Sequence, residues 1–97
     1  MLTGKQRSYL RSLANNLQPI FQVGKGGVND NMIKQFADAL EARELIKATV
    51  LRNADCETKI VSEEIAELTQ SQVVQVIGSK FVLYKTSEKN AVIELPR

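Results

Sequence analysis

The stretch Gln22-Val23-Gly24-Lys25-Gly26-Gly27-Val28-Asn29-Asp30 sets three glycines and a lysine between an apolar run and two helix-capping residues. On its N-terminal side, Ile20-Phe21-Gln22-Val23 is short, apolar and partly β-branched, which reads as a strand. On its C-terminal side, Asn29 or Asp30 is a good N-cap. Ile33, Phe36, Ala37 and Leu40 then fall at i, i+3, i+4 and i+7, one face of a helix. The unit is strand, glycine loop, helix. Each glycine raises the backbone entropy lost on folding, so three of them together in so short a loop call for a physical reason.

Upstream, Thr3-Gly4-Lys5-Gln6 has the form of a capping box, with the Thr hydroxyl accepting from the Gln6 N–H and Gln6 reaching back. Leu10, Leu13, Ala14 and Leu17 give a first helical face, which Pro19 interrupts. Downstream, Ile46, Ala48 and Val50 alternate with Lys47 and Thr49, as in a strand with one face covered. Asn53-Ala54-Asp55 supplies a turn and a third cap, and Val61, Ile65 and Leu68 form a third helical stripe with Glu63, Glu64 and Glu67 outside it. Val73–Ile77 and Phe81–Tyr84 are strand runs joined by Gly78-Ser79-Lys80, short enough for a hairpin. Ala91–Leu95 reads as a short edge strand ended by Pro96. The order αβαβαββ requires helical crossovers and parallel pairing, with a closing hairpin. We therefore expect one compact α/β domain over residues 1–97, built on a mixed four-stranded sheet.

Composition narrows the function. With 97 residues, 43% hydrophobic and 25% charged, the chain is sized and composed as a single globular domain. It has neither a long apolar run nor a signal-peptide core, so a cytoplasmic location is expected. The single Cys56 makes no internal disulfide and no zinc site, and it reads as a small buried or incidental cysteine. There is no histidine, which removes the commonest general base and metal ligand. Glu63, Glu64 and Glu67 read as a solvated helix face rather than as metal ligands. Lys25 is not followed by Ser or Thr, so no P-loop is present. We expect no enzyme, no cofactor, no metal, no membrane contact and no small-molecule substrate.

The charge is uneven. Residues 1–34 carry five basic groups against one acidic, residues 35–79 four against eight, and residues 80–97 four against two. The basic third contains the glycine loop, which suggests an anionic partner at that end. Gly24-Lys25-Gly26-Gly27 has the form G-x-x-G. Glycine tolerates positive φ and turns successive N–H groups outward, and the lack of side chains lets another backbone come close. The helix that follows adds unsatisfied N–H groups. Lys25 supplies a full charge suited to phosphate. The pattern stops short of the dinucleotide G-x-G-x-x-G. A nucleic-acid backbone fits better, because Lys5, Arg7 and Arg11 in the first helix extend the basic region. KH domains clamp RNA backbone with a G-x-x-G loop.

Taken whole, the sequence resembles the CRM domain, named for chloroplast RNA splicing and ribosome maturation, in its small stand-alone bacterial form of the YhbY type. The stretches that carry the resemblance are "LTGKQRSYLRSLANNLQPIFQVGKGGV", "ALEARELIK" and "VVQVIGSKFVLYK", and they span nearly the entire chain. The resemblance implies a fold similar to the C-terminal domain of bacterial translation initiation factor three. It also implies an RNA-binding protein associated with precursors of the large ribosomal subunit. The family's loop motif falls on Gly24, Lys25, Gly26 and Gly27, with Asn29 behind it, and its basic first helix on Lys5, Arg7 and Arg11. Its glycine before the last strand falls on Gly78, where a hairpin role is expected. Val23 stands where many relatives have Ile, Val28-Asn29 where they have Leu-Thr, and Tyr84-Lys85 where Tyr-Arg is usual. The last change loses a planar fork for bidentate contacts.

The expected partner is ribosomal RNA, bound by a monomer through phosphate contacts. The rival expectation is a protein-interaction module that docks a ribosomal protein through its sheet or its acidic third helix.

Overall fold

A computed structural model describes residues 2–52 and 57–97. Its elements run α1 Gly4–Ala14, β1 Phe21–Val23, α2 Asp30–Arg43, β2 Leu45–Val50, α3 Thr58–Thr69, β3 Gln72–Ile77 and β4 Lys80–Tyr84. This is the expected order αβαβαββ. The turn and cap expected at Asn53–Asp55, and Cys56, lie outside the described residues; α3 starts behind Glu57, which makes no side-chain capping bond.

Both remaining helix starts follow from their caps. Thr3 Oγ1 accepts from the Gln6 N–H at 3.1 Å, and Gln6 Oε1 accepts from the Thr3 N–H at 3.0 Å, closing the capping box. Between the two candidates, Asn29 is the cap of α2: its Oδ1 accepts from the Met32 N–H at 2.8 Å.

The strands form one mixed sheet in the order β1-β2-β4-β3. β1 pairs parallel with β2, across the α2 crossover, and β4 lies antiparallel between β2 and β3. Strand alternation divides the core in two. Val23, Ile46, Ala48, Val50, Phe81 and Leu83 meet Phe36 and Leu40 of α2 and Val61, Ile65 and Ala66 of α3 on one face. Leu45, Val74, Val82 and Tyr84 meet Leu2, Leu10 and Ala14 on the other. The result is three layers, with α2 and α3 on one side of the sheet and α1 on the other. A β-bulge between Val73 and Gln75 lets neighbouring valines serve both cores: Val73 packs toward α3 and Val74 toward α1.

Two expectations are corrected. Leu68 is 56% exposed, and the buried residues of α3 are Val61, Ser62, Ile65, Ala66 and Thr69. At about 100° per residue, Leu68 falls roughly 90° from the centre of that stripe. Ala91–Leu95 forms no strand. Its N–H groups turn instead to the end of α2, where Glu44 Oε1 accepts from Val92 at 2.7 Å and Ile93 at 2.9 Å. Glu44 Oε2 accepts from the Ser87 N–H at 2.9 Å, and Glu41 accepts from the Ser87 hydroxyl at 2.6 Å and the Glu88 N–H at 2.9 Å. Ile93 and Leu95 then pack against the α1 core.

Candidate nucleic-acid interface

The glycine loop stands at the C-terminal end of β1, on the edge of the sheet. It is a β-turn, closed by the Gly27 N–H donating to the Gly24 carbonyl at 3.0 Å. Val28, half-buried against the α2–α3 core, fixes its far side, and the Leu51 N–H, donating to the Val23 carbonyl at 2.8 Å, fixes the near side. Lys25 and Gly26 project as the exposed corner of the turn.

The glycines are not equivalent. Gly27 has φ +67°, a conformation that side-chain-bearing residues adopt at a cost. Gly24 and Gly26 have no such φ. A Cβ on Gly24 would make ordinary contact with Leu51 Cδ1 at 3.6 Å, and one on Gly26 would meet nothing. The fold therefore demands glycine at 27 and at neither 24 nor 26. Among the described residues, the N–H groups of Lys25, Gly26 and Val28 have no acceptor. They form an exposed group of donors beside a lysine, the arrangement that suits an anion. Asn29 spends its Oδ1 on the cap, leaving its amide donors. Asp30, in the first turn of α2, already sets a negative charge at the helix start. The loop donors and Lys25 thus carry more of any anion contact than the α2 dipole does.

The basic residues of α1 lie elsewhere. The helix begins at the end of the sheet farther from the loop, where the Leu2 N–H donates to Gln72 Oε1 at 2.9 Å. Lys5 is exposed there. Arg7 is half-buried, and its Nη1 donates to the carbonyls of Val73 and Val74 at the β3 bulge. Arg11, one turn further on, is exposed, and Asn15 behind it lines a recess with Lys47, Gln75 and Lys80 on the open part of the sheet. Only the C-terminal half of α1 approaches the loop end of the molecule.

Four basic residues that the sequence reading left unassigned stand nearer. Leu51, whose side chain lies where a Cβ on Gly24 would meet it, leads into Arg52, and an open depression of about 470 Å³ beside it includes Arg52 and Lys59. Lys80 starts β4 after the Gly78-Ser79 turn, where Gly78 has φ +56°, and the Val50 N–H donates to the Ser79 carbonyl at 2.7 Å. Lys47 lies on the α1 face of β2. Strand alternation was the signal that put Lys47 outside the α2–α3 core; its neighbourhood to Lys80 needs the strand order.

Among the described residues no helix is long and apolar enough to cross a membrane.

The comparisons agree with this architecture. The solution structure of a hypothetical protein from Staphylococcus aureus, 59% identical, superposes with a TM-score of 0.82 over 99% of this chain and 100% of that one. A Bacillus subtilis protein named "Probable RNA-binding protein YqeI" is 62% identical over 99% of this chain and 100% of its own length. A Haemophilus influenzae protein named "RNA-binding protein" is 39% identical over 99% of this chain and 96% of its own length. The sequence pattern of the CRS1 / YhbY (CRM) domain runs through residues 2–85, from the cap of α1 to the end of β4, and on that match the chain belongs to the CRS1 / YhbY (CRM) domain family.

Proposed function

We propose that this protein is a cytoplasmic, non-catalytic RNA-binding protein that acts as a monomer on precursors of the large ribosomal subunit. The loop N–H groups of Lys25, Gly26 and Val28 and the Lys25 ammonium hold RNA phosphates. Arg11 and Lys5 extend the positive field, with Arg7 contributing charge while its guanidinium serves the bulge. The observation that carries the reading is at Gly26: it has open space around it and no positive φ, yet it is glycine. A partner that must come close to the backbone supplies the reason the fold does not. Relatives named as RNA-binding proteins give the partner its class. Contacts of this kind position RNA and carry little sequence information.

Lys25→Asp combined with Gly26→Asp tests this. The expected result is an unchanged circular dichroism spectrum and melting temperature with RNA binding lost. In a sucrose gradient the tagged protein should travel with large-subunit precursors at low salt and leave them at high salt. Full binding by the double variant would refute the loop assignment.

A second reading has its own observation. Ile60 is 58% and Leu68 56% exposed on α3, beside Glu63, Glu64 and Glu67, an acidic and apolar surface suited to a basic protein partner. Apolar docking through Ile60 and Leu68 would survive salt better than phosphate contacts do, so the gradient at high salt separates the two.

A further inference from the structure

α1 covers only part of its face of the sheet. The register shows what it leaves open. Toward the loop end, Gln22 pairs with Thr49, Thr49 with Lys80 and Lys80 with Ile77, one cross-strand row on the α1 face. The next row is Lys47, Val82 and Gln75, and only Val82 is buried in the α1 core. The outer row starts one residue before Val23-Gly24 and crosses three strand spacings, about 14 Å. It therefore continues from the base of the glycine loop across the whole sheet.

The chemistry of the two rows is uniform. Gln22, Thr49, Lys80, Ile77, Lys47 and Gln75 include no carboxylate, and α1 above them has none either. The ion pair among the described residues, Lys34–Asp38, is on α2. Lys47 and Lys80 stand on adjacent antiparallel strands, diagonal to each other, at roughly 7–8 Å between backbones. With Asn15 and Gln75 they line a small recess of about 120 Å³. Two like charges so placed repel unless an anion lies between them. Ile77 at the end of the row is 63% exposed, and its apolar surface is available to a base.

We propose that this open half of the sheet is a second RNA subsite, which takes a single-stranded segment leaving the glycine loop. Lys47 and Lys80 hold phosphates, Asn15 and Gln75 offer amide donors and acceptors to base edges, and Ile77 supports a base face. The proposal rests on the loop reading and deepens it, because side-chain amides can read unpaired bases whereas the loop's backbone contacts cannot. An RNA strand is favoured over a protein partner by the charge and by continuity with the loop.

The test compares Lys47→Gln with Lys80→Gln, alone and together, against the loop double variant. The probes are a short mixed-sequence single-stranded RNA and the corresponding duplex, titrated over a range of salt. The combined sheet variant should weaken single-strand binding by about tenfold or more. The slope of log affinity against log salt should become shallower by about 0.7 for each lysine removed. Duplex binding should change less. Unchanged affinity and slope for the sheet variants, with the loop variant impaired, would overturn the subsite and leave the loop reading standing. Impaired sheet variants beside an unimpaired loop variant would support the subsite and refute the loop. Equal losses on single strand and duplex would refute the single-strand assignment. Lys80 is exposed, so Lys80→Gln keeps the test open should Lys47→Gln disturb packing.

Discussion

Glu44 and Ile93, 49 positions apart, are joined by a hydrogen bond of 2.9 Å from the Ile93 N–H to a glutamate carboxylate that is 1% exposed. The same carboxylate takes the N–H groups of Val92 and Ser87. Glu44 is also the C-cap of α2, with φ +65°, a conformation that costs a side-chain-bearing residue about 1–2 kcal/mol. Its carbonyl accepts from the Lys85 N–H at 2.9 Å. One residue thus ends a helix, leads directly into β2 and fastens the segment that follows β4.

Replacing Glu44 by Gln is expected to destabilise the protein by about 2–3 kcal/mol, because a donor would face the Ser87 N–H and the charge-assisted bonds would be lost. Denaturant unfolding measures the loss. Amide exchange at Val92 and Ile93 should rise more than at Leu83.

Acid should have the same local effect. At Glu44, burial raises the carboxyl pKa, but the N–H groups of Ile93, Ser87 and Val92 outweigh it and hold the group below its ordinary value. At Glu41, the Ser87 hydroxyl and the Glu88 N–H lower it too. A carboxylate depressed in the folded state adds stability that is complete above its unfolded value, about 4.3, and is lost as pH falls through the folded value. Stability should therefore decline below about pH 4.3, with the 86–97 segment exchanging first. In Glu44→Gln the decline should be shallower.

Gly26→Ala and Gly27→Ala should differ. Gly26→Ala is expected to change stability by no more than about 0.5 kcal/mol, or to raise it slightly, while weakening RNA binding. Gly27→Ala, at φ +67°, should cost about 1–2 kcal/mol. Paired melting and RNA titration of the two variants check both statements.

Arg7→Gln and Arg11→Gln should separate as well. Arg7 serves the bulge carbonyls of Val73 and Val74, so its loss is expected to cost about 1–3 kcal/mol of stability. Arg11 is exposed, so its loss should leave stability within about 0.5 kcal/mol. It should instead make the salt dependence of RNA binding shallower.

Gln70 caps α3 in the left-handed conformation at φ 59° and is exposed. Gln70→Gly should raise stability by about 0.5–1 kcal/mol, read as a higher melting temperature with RNA binding unchanged.

The sequence by itself determined the element order, the capping box at Thr3, a cap at Asn29 or Asp30 and the split of β2 into covered and uncovered faces. These depend on residues a few positions apart, and capping geometry and strand alternation are local. It also marked the glycine loop, because composition alone sets that stretch apart. It could not foresee the bulge at Val74, which gives Val73 and Val74 to different cores. Nor could it tell that Arg7 would be held by strand carbonyls 66 and 67 positions away. The segment after β4 read as a strand because its apolar alternation is real, with Ile93 and Leu95 packing inward. Its N–H groups, however, answer to two carboxylates at the end of α2 rather than to a neighbouring strand. Only the tertiary structure decided that β4 lies between β2 and β3, and so brought Lys47 and Lys80 together beside the loop. Which strands become neighbours depends on how the two cores close, and no spacing along the chain encodes it.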